Sequence, residues 1–444
     1  MAGNIWDAEI ERYRAKTEVS RLIQQKAQQF LPGGSSRGTA FFDPYPIFVD
    51  RGEGHHIYDV DGNRYLDFMI NATSLIMGHA PPELVRVIQD QIARGTAYGG
   101  PTESQVRLAE ILSNRIPSVE TIRFTNSGTE GTLMAIRAAR AFTGRYKIAK
   151  FEGGYHGSHE YVSVSVGPPA DKLDSIGPTA ISDHPGQPPS VLDDVIVLPF
   201  NDLEKSERKI RENASELACV IMEPISSRFG YAPAELHFLE GVRSVTEELG
   251  IVLIFDEVQS FRVAPGGAQE VFNVIPDMTT LGKIIGGGLP VGAFGGREDI
   301  MSVFDPSAPG ETVPHAGTFN ANPTTMVAGE FVMNNLTREV YERLAFLGES
   351  LRMKMRSVFD ELDVPVQITG VASLFGIHLA GHPIIDHRSM IQGDLLKRKT
   401  LFLGLINEGM WLQASCAGAL NILSTENEID NLVEATRTVM HRVR

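Results

Sequence analysis

Between residues 82 and 256, short apolar β-rich runs alternate with amphipathic helical patterns. This alternation restricts the fold more than any other feature, because parallel strands must be joined by crossover segments, which are usually helical. It predicts parallel βαβ units with helices on both faces of a central sheet. The predicted helices are 82–94, 103–115, 129–142 and 238–249, and the predicted strands are 121–125, 147–151, 218–223 and 251–256. We therefore expect a large α/β domain, which we assign to residues 76–335.

The segments on either side of this region have a different texture. Alternating apolar residues with tight-turn signals near the N-terminus predict a small antiparallel β-meander, and helical periodicity dominates near the C-terminus. The predicted elements are a helix 10–30 ended by 32-PGG-34, strands within 47–68, a helical pattern after 335, a strand-like run 366–379 and a last helix 427–443. We expect residues 1–75 and 336–444 to form a smaller α+β domain. The Pro- and Gly-rich segment 166–190 is predicted to be an active-site loop or a mobile excursion.

Composition limits the classes of function. The formal net charge is −15 at pH 7, which opposes binding to nucleic acid or to anionic membrane surfaces. Only two cysteines are present, Cys219 and Cys416, and the histidines lack metal-ligand spacing, so we expect neither disulfides nor a metal. The apolar runs are too short to cross a bilayer and the N-terminus lacks a signal-peptide pattern. We therefore expect a cytoplasmic protein that acts on small molecules.

The apolar run 252-VLIFDEV-258 ends in two carboxylates, and Asp256 falls where a parallel strand would reach its carboxyl edge. Ligands of open α/β sheets bind at that edge. A carboxylate there can hold a proton on a heteroaromatic nitrogen, so that the charged ring withdraws electrons from an adjacent carbanion. The alternative for an isolated aspartate at this place is a helix cap or a solvated strand end.

Lys283 lies between apolar residues and is followed by a glycine-rich stretch, 286-GGGLPVGAFGG-296. Such surroundings predict partial desolvation, which lowers the pKa of the amine and favours the neutral form that condenses with an aldehyde. A surface lysine is the alternative. The glycines do not have the G-x-G-x-x-G spacing of a dinucleotide site.

Two more segments can contact a phosphorylated, flat ligand. The segment 122–144 predicts a strand, a turn and a helix, and the backbone N–H groups at the start of that helix, with the hydroxyls of Ser127 and Thr129, suit a phosphate monoester. A plain helix cap is equally compatible with these hydroxyls. Tyr155 and His156 lie in a glycine-rich turn after a predicted strand, where an aromatic ring could stack on a flat cofactor.

Taken together, six short motifs resemble those of the class III, fold type I, pyridoxal-5′-phosphate (PLP)-dependent aminotransferases. In chain order they are 126-NSGTE-130, 152-EGGYHG-157, 222-MEP-224, 255-FDEV-258, 279-TTLGK-283 and 315-HAGTF-319. The resemblance runs from about Arg51 to Val327 and more loosely to the end of the chain. It implies an α/β fold in which a large domain has a mostly parallel sheet covered by helices, beside a smaller α+β domain. The chain is most similar to the branch that contains glutamate-1-semialdehyde 2,1-aminomutase and the amine and β-amino-acid transaminases.

The resemblance also implies roles for the residues in these motifs. Lys283 would bind the cofactor as a Schiff base and move a proton between substrate and cofactor, while Asp256 would keep the pyridine nitrogen protonated. The other implied cofactor contacts are Ser127, Gly128 and Thr129 at the phosphate, Tyr155 beside His156 on one ring face, Val258 on the other face, Glu223 at the cofactor edge, and Thr318 from a second subunit. That last contact implies a homodimer with active sites at the subunit interface.

The implied reaction is transfer of an amino group from an amine or β-amino acid to a keto acid such as pyruvate, by a ping-pong mechanism. Arg37 falls where relatives carry an arginine that binds a carboxylate, a task for which a guanidinium is suited. Phe42 belongs to an aromatic cluster that would line an apolar substrate pocket or pack a domain interface. Ala72 stands where relatives often have a tyrosine, which implies a larger pocket.

Other activities remain compatible with the same fold and lysine. Glutamate-1-semialdehyde 2,1-aminomutase is the main alternative, although the segment after 32-PGG-34 and 223-EPISSRFG-230 depart from that enzyme's usual sequence. The segment 414-ASCAGA-419 lacks an arginine that β-amino-acid transaminases use to hold a carboxylate, which argues against a strict amino-acid specificity. A PLP-dependent racemase or decarboxylase would need no amino acceptor. A PLP-binding DNA regulator would need a basic or helix-turn-helix segment, for which the sequence gives no candidate. The sequence leaves the preferred donor and acceptor and the enantioselectivity open.

Overall fold

The computed structural model describes residues 2–443 of the 444-residue chain. Its helices are α1 (Ala2–Lys16), α2 (Glu18–Ala27), the single turn α3 (Ile70–Thr73), α4 (Pro82–Arg94), α5 (Glu103–Arg115), α6 (Gly128–Thr143), α7 (Leu203–Glu212), α8 (Leu236–Glu248), α9 (Ala268–Phe272), α10 (Glu298–Met301), α11 (Pro323–Asn335), α12 (Arg338–Glu361), α13 (His387–Ile391), α14 (Leu395–Asn407) and α15 (Glu426–Val443). Its strands are β1 (Val49–Glu53), β2 (His56–Asp59), β3 (Arg64–Asp67), β4 (Thr121–Thr125), β5 (Lys147–Phe151), β6 (Val195–Leu198), β7 (Leu217–Met222), β8 (Ile225–Ser226), β9 (Ala232–Pro233), β10 (Val252–Asp256), β11 (Met278–Gly282), β12 (Gly292–Gly296), β13 (Gln367–Thr369), β14 (Leu374–His378), β15 (Met410–Trp411) and β16 (Ala417–Ala419).

A seven-stranded sheet occupies the middle of the molecule, with the strand order β4-β12-β11-β10-β7-β5-β6. β10 pairs in parallel with β7 and β11, and β5 pairs in parallel with β6 and β7. β12 is antiparallel to both of its neighbours, β4 and β11, so it is the one strand of this sheet that runs against the rest. The predicted mostly parallel sheet is confirmed.

Both faces of this sheet are covered, as the continuous apolar runs predict for a buried parallel sheet. Along β10, Leu253 and Phe255 pack into a core with residues of α8, whereas Val252 and Ile254 pack on the other face with residues of α6. Every residue of β10 is buried. The sheet therefore forms a rigid layer whose strand ends can fix side chains for a site.

Strand β12 passes directly beneath the start of α6. A Cβ atom on Gly292 would lie 1.9 Å from the carbonyl oxygen of Ser127, a distance that no real side chain tolerates. A glycine is therefore needed here so that the turn before α6 can rest on the sheet. This close approach fixes the first turn of α6 above the carboxyl edge of the parallel strands.

The N-terminal and C-terminal segments share one four-stranded sheet and one core, and the C-terminal segment forms a second small sheet. β1, β2 and β3 form the predicted antiparallel meander, and β15 from the C-terminal segment adds to β3 in parallel. β13, β14 and β16 form a separate antiparallel sheet. The pairing of β15 with β3 could not be predicted from either segment alone, because it joins residues more than 340 positions apart.

Two elements that were predicted as continuous, the helix 10–30 and the strand-like run 366–379, are each divided in the structure. The helix predicted over 10–30 is two helices, because Thr17 has non-helical backbone angles and the carboxylate of Asp61 accepts hydrogen bonds from the N–H groups of Val19 and Ser20 at 2.6 and 3.0 Å. Asp61 thus satisfies the free N–H groups at the start of α2. The strand-like run 366–379 is two strands, β13 and β14, separated by a turn in which Gly370 has a φ of +133°.

The segment 166–190 contains short 3₁₀ turns, over Ala170–Lys172 and at the start of Pro189–Asp194, and an isolated antiparallel bridge from Ser182 to Val164. It is held against the C-terminal segment, since His387 Nε2 lies 2.8 Å from the carbonyl oxygen of Pro168 and the Arg388 guanidinium donates to the carbonyl of Asp174 at 2.7 Å. Arg388 also pairs with Glu152. The segment is therefore tied to α13.

Candidate active site

Asp256 is the last residue of β10 and lies at the carboxyl edge of the sheet, as predicted. Its side chain is 5% exposed. The N–H of Val258 and the hydroxyl of Thr280 donate to Oδ1 at 3.1 Å each, and Oδ2 lies 2.9 Å from Nδ1 of His156. These partners fix the carboxylate in one orientation, which a solvated strand end would not require.

Lys283 begins a 3₁₀ turn directly after β11, the strand that pairs in parallel with β10. Because Asp256 is opposite Thr280 in this pairing, both functional side chains leave the sheet at the same edge. Lys283 has a φ of +53°, a left-handed conformation that non-glycine residues seldom adopt and that is typical of functional positions. The surrounding strands and turn hold it there.

Burial lowers the pKa of Lys283, and the negative charges of Asp256 and Glu223 oppose that lowering. The positive charge of Arg37 adds to the lowering. A lowered pKa increases the fraction of neutral amine at a given pH, which is the nucleophilic form. The desolvated lysine expected from the sequence is therefore present.

Tyr155 and His156 come to the same place from the turn after β5. Glu223, at the end of β7, accepts hydrogen bonds from the N–H of Tyr155 at 3.1 Å and from that of Ser227 at 3.2 Å. Burial raises the pKa of Glu223, and the nearby charge of Asp256 raises it further. Glu223 thus holds the Tyr155 turn against the end of its own strand.

The first turn of α6 also borders the site, beside Asp256, Lys283 and the Tyr155 turn. Ser127 is the N-cap of this helix, and its hydroxyl accepts a hydrogen bond from the N–H of Glu130 at 3.2 Å. The hydroxyl of Ser127 therefore caps the helix, which is the alternative role that the sequence left open for it. Gly128 must lack a side chain, because a Cβ there would lie 2.9 Å from a methyl group of Val258. The exposed N–H groups of this turn carry the positive end of the helix dipole.

These residues line an inner and an outer part of the site, two neighbouring cavities that share three lining residues. The inner part, about 130 Å³, is lined by predicted residues: Gly128, Thr129, Tyr155, His156, Glu223, Asp256, Val258 and Lys283. The outer part, about 350 Å³, shares Gly128, Val258 and Lys283 with it and is also lined by Ser127, Arg37 and Ala72. We call these parts the inner cavity and the outer cavity.

The outer cavity has a cation at its edge. Arg37 is exposed, and its Nη1 donates to Oδ1 of Asn71 at 2.8 Å. Ala72 lines this cavity from the turn α3, and its methyl group leaves room where a larger side chain would project.

Two predicted site residues, Phe42 and Thr318, line neither the inner nor the outer cavity of their own chain. Phe42 does not line either cavity: its ring packs against Tyr13, Phe402 and Trp411 at centroid distances of 5.2 to 5.9 Å. In the single chain Phe42 therefore packs among aromatic side chains from α1, α14 and β15, and its role as a substrate contact stays a prediction. Thr318 lines a separate cavity of about 410 Å³ together with Tyr98 and Asn320.

Sequence reasoning missed several residues that line or brace the site. Thr280, which orients Asp256, stands in the TTLGK motif and could have been found from the strand register. Gln259 follows Val258 directly and lines the inner cavity. Asn71 and Asn126 line the outer cavity. Asn126 begins the motif 126-NSGTE-130 and could have been found from it, whereas the left-handed backbone that places Asn71 has no local sequence signal.

The donor set fits a flat aldehyde that carries a phosphate ester and a basic ring nitrogen. Lys283 supplies an amine for the aldehyde, the first turn of α6 supplies N–H groups for the phosphate, and Asp256 supplies a buried carboxylate for the nitrogen. His156 Nε2 is buried without a hydrogen-bond partner in the described residues. Within residues 2–443 no group of three or more His, Cys, Asp or Glu side chains is arranged to hold a metal ion, and no described helix is long and apolar enough to cross a membrane.

Comparison with known proteins gives a consistent family. Residues 40–427 match the family model described as aminotransferase class-III. Glutamate-1-semialdehyde 2,1-aminomutase of Methanobrevibacter smithii is 39% identical over 421 residues, which cover 95% of this chain and 97% of that protein.

Two solved structures superimpose closely on this chain. An omega-transaminase from Sphaerobacter thermophilus is 44% identical with a TM-score of 0.92, covering 96% of this chain and 98% of the other. A β-phenylalanine aminotransferase from Variovorax paradoxus is 33% identical with a TM-score of 0.91, covering 99% and 98%.

Proposed function

The chain belongs to the class III aminotransferase family, whose members are PLP-dependent enzymes, and we propose that it transfers an amino group from an amine or β-amino acid to a keto acid such as pyruvate. The observation that carries this proposal is a pair of neighbouring cavities: Lys283 lines both, Asp256 lines the inner one and Arg37 lines the outer one. The inner cavity suits a cofactor, and the outer cavity suits a substrate that bears a carboxylate.

When bound, PLP supplies an aldehyde that condenses with amines and a ring that withdraws electrons. In this proposal Nζ of Lys283 holds the cofactor and then carries the proton from the substrate carbon. The Asp256 carboxylate would keep the ring nitrogen protonated, and His156 holds that carboxylate in position. Tyr155 and Val258 would contact the ring, and residues 127–129 would bind the phosphate.

Arg37 and Ala72 would decide which donors enter. A guanidinium that forms no ion pair with a carboxylate of the described residues keeps its charge available for an anionic substrate. The small side chain of Ala72 leaves space for a bulky group on the donor. Together they favour a β-amino acid with a large substituent over a small amine.

We also propose a homodimer in which Thr318 reaches the phosphate of the partner's cofactor. Support comes from its location, since Thr318 lines a cavity apart from Lys283 of its own chain, beside the half-exposed side chains of Tyr98 and Phe319. Sedimentation of the cofactor-loaded protein tests the oligomeric state, and Thr318→Ala should weaken cofactor binding if the contact exists.

Glutamate-1-semialdehyde 2,1-aminomutase is the second candidate, and the names of the curated relatives favour it over the first. This reaction moves the amino group within one molecule. Its substrate also carries one carboxylate, which Arg37 could bind, so the two candidates share the same site residues and differ in whether a second substrate is needed.

The deciding experiment supplies the cofactor-loaded protein with each donor, with and without pyruvate. Formation of alanine from 1-phenylethylamine or 3-amino-3-phenylpropanoate, dependent on pyruvate, supports the transaminase and identifies the donor class. Conversion of glutamate-1-semialdehyde to 5-aminolevulinate without any acceptor supports the aminomutase instead. A protein that binds PLP and turns over none of the three contradicts both candidates.

A further inference from the structure

The turn α3 forms part of the outer cavity and has an unusual backbone. Its four residues Ile70, Asn71, Ala72 and Thr73 have φ values of +40°, +49°, +53° and +74°. A run of left-handed residues without glycine is disfavoured, because each Cβ crowds a neighbouring carbonyl oxygen. Such conformations persist where the surrounding structure imposes them and are concentrated at functional sites.

Buried hydrogen bonds impose this turn from both ends. At its start, the N–H of Ile70 donates to the buried carboxylate of Asp67 at 2.7 Å. At its end, the Arg262 guanidinium donates to the carbonyl oxygen of Thr73 at 2.7 Å. Arg262 is 1% exposed and also donates to Ser373 and to the carbonyl of Leu420. The turn is therefore fixed at its start by Asp67, which lies just before it, and at its end by Arg262, 189 positions after Thr73.

The consequence of this backbone is the placement of Asn71. Its Oδ1 accepts the 2.8 Å hydrogen bond from Nη1 of Arg37, and both residues line the outer cavity. Asparagine is also one of the few side chains that tolerate a left-handed φ. Its amide is neutral, so it can orient the guanidinium without cancelling its charge. In the part of the chain that the structure describes, no carboxylate forms an ion pair with Arg37.

We propose that Asn71 is the positioning residue that gives the outer cavity its preference for anionic donors, by orienting Arg37 through a neutral acceptor. The inference rests on the proposed function in one respect, namely that Arg37 binds the substrate carboxylate. A carboxylate at position 71 would occupy the guanidinium and remove the preference. An absent side chain would leave Arg37 charged but less well oriented.

Two variants separate charge from orientation. Asn71→Asp keeps the size, the acceptor and the tolerance of a left-handed φ, and adds a negative charge. Asn71→Gly keeps the backbone conformation and removes the acceptor. Arg37→Gln and the double variant Asn71→Asp/Arg37→Gln complete a cycle that reports whether Asn71 acts through Arg37.

The measurement is calorimetric binding to the cofactor-loaded protein of 3-phenylpropanoate and of its neutral analogue, 3-phenylpropanamide. Asn71→Asp should weaken binding of the carboxylate about tenfold, in line with one charge-assisted contact, and change amide binding less than about twofold. Asn71→Gly should weaken carboxylate binding about threefold, because part of the orientation is lost. In the Arg37→Gln background, Asn71→Asp should cause little further loss.

Three results would overturn the proposal. One is equal weakening of both ligands by Asn71→Asp, which indicates a purely structural role. The second is the same loss in the Arg37→Gln background, which shows that Asn71 does not act through Arg37. The third is a wild-type protein without preference for the carboxylate. If the preference and its loss are observed but neither 3-amino-3-phenylpropanoate nor 1-phenylethylamine is turned over with pyruvate, the transaminase proposal fails and the role of Asn71 stands.

Discussion

The inner and outer cavities meet at Lys283 and are built in opposite ways. In the inner cavity, Asp256, His156 and Glu223 are each at most 6% exposed. Asp256 alone has three hydrogen-bond partners, from the turn after its own strand, from β11 and from the turn after β5. In the outer cavity, Arg37 and Asn71 are exposed and are joined by a single side-chain hydrogen bond.

This difference indicates which part of the site is fixed and which can be tuned. Charges in a water-poor environment interact strongly and tolerate little rearrangement, whereas exposed charges are screened and exchange partners at small cost. Changes in the inner cavity should therefore affect every substrate alike. Changes at the outer cavity should affect only those substrates that carry the matching group.

The largest expected effect is that of Lys283→Ala. Loss of the amine removes both the attachment point of the cofactor and the proton carrier, so turnover should fall by roughly 10³-fold or more for every donor. Steady-state alanine formation with 1-phenylethylamine and with 3-amino-3-phenylpropanoate measures it. The melting temperature controls for folding. Turnover above about one hundredth of wild type would show that Lys283 is not the catalytic lysine.

A smaller loss of roughly 10²-fold is expected for Asp256→Asn, because a neutral amide cannot hold a proton on the ring nitrogen by charge. The loss should be similar for the amine and for the β-amino acid, which serves as the internal control. A loss confined to the anionic donor would contradict the division between the two cavities, since it would assign Asp256 to substrate recognition.

The inner cavity was also the more predictable of the two. Asp256 could be placed at the carboxyl edge because an apolar β-rich run predicts a parallel strand that ends there, and the resemblance of their motifs implied the roles of Asp256 and Lys283. The contact between Asp256 and His156 joins residues 100 positions apart, so it depends on how β5, β7 and β10 align. No local pattern predicts that alignment.

The outer cavity depends still more on tertiary structure. The segment 70-INAT-73 has no glycine, so backbone preferences argue against the left-handed turn that it forms. Asp67 holds the start of that turn locally, but Arg262, which holds its end, comes from a distant part of the chain. For a related reason, the sequence near Arg37 does not determine whether the ring of Phe42 lines the substrate pocket or packs against other aromatic side chains.

At the outer cavity, Arg37→Gln should raise the KM for 3-amino-3-phenylpropanoate about tenfold, equivalent to about 1.4 kcal/mol, while kcat changes little. The KM for 1-phenylethylamine, which has no carboxylate, should change less than about twofold. Arg51→Gln is the matched control, because Arg51 is an exposed arginine on β1 that lines neither cavity. Equal changes for both donors would remove Arg37 from carboxylate recognition.

The smallest expected effect concerns Lys283, which lines both cavities: the pH at which its amine becomes neutral should shift. The negative charge of Glu223 raises the pKa of Lys283 against the lowering caused by burial. Glu223→Gln removes that charge, so the pKa should fall further and the neutral amine should persist to lower pH. The rate at which cofactor-free protein takes up PLP should then reach half its maximum at a lower pH, by less than about one unit. Because burial raises the pKa of Glu223 itself, the shift should shrink as the pH falls and Glu223 becomes protonated.

The control is Glu160→Gln, which changes an exposed carboxylate in the segment after Tyr155 and should leave the pH profile unchanged. A shift toward higher pH in Glu223→Gln would mean that Glu223 acts on Lys283 by packing and not by charge.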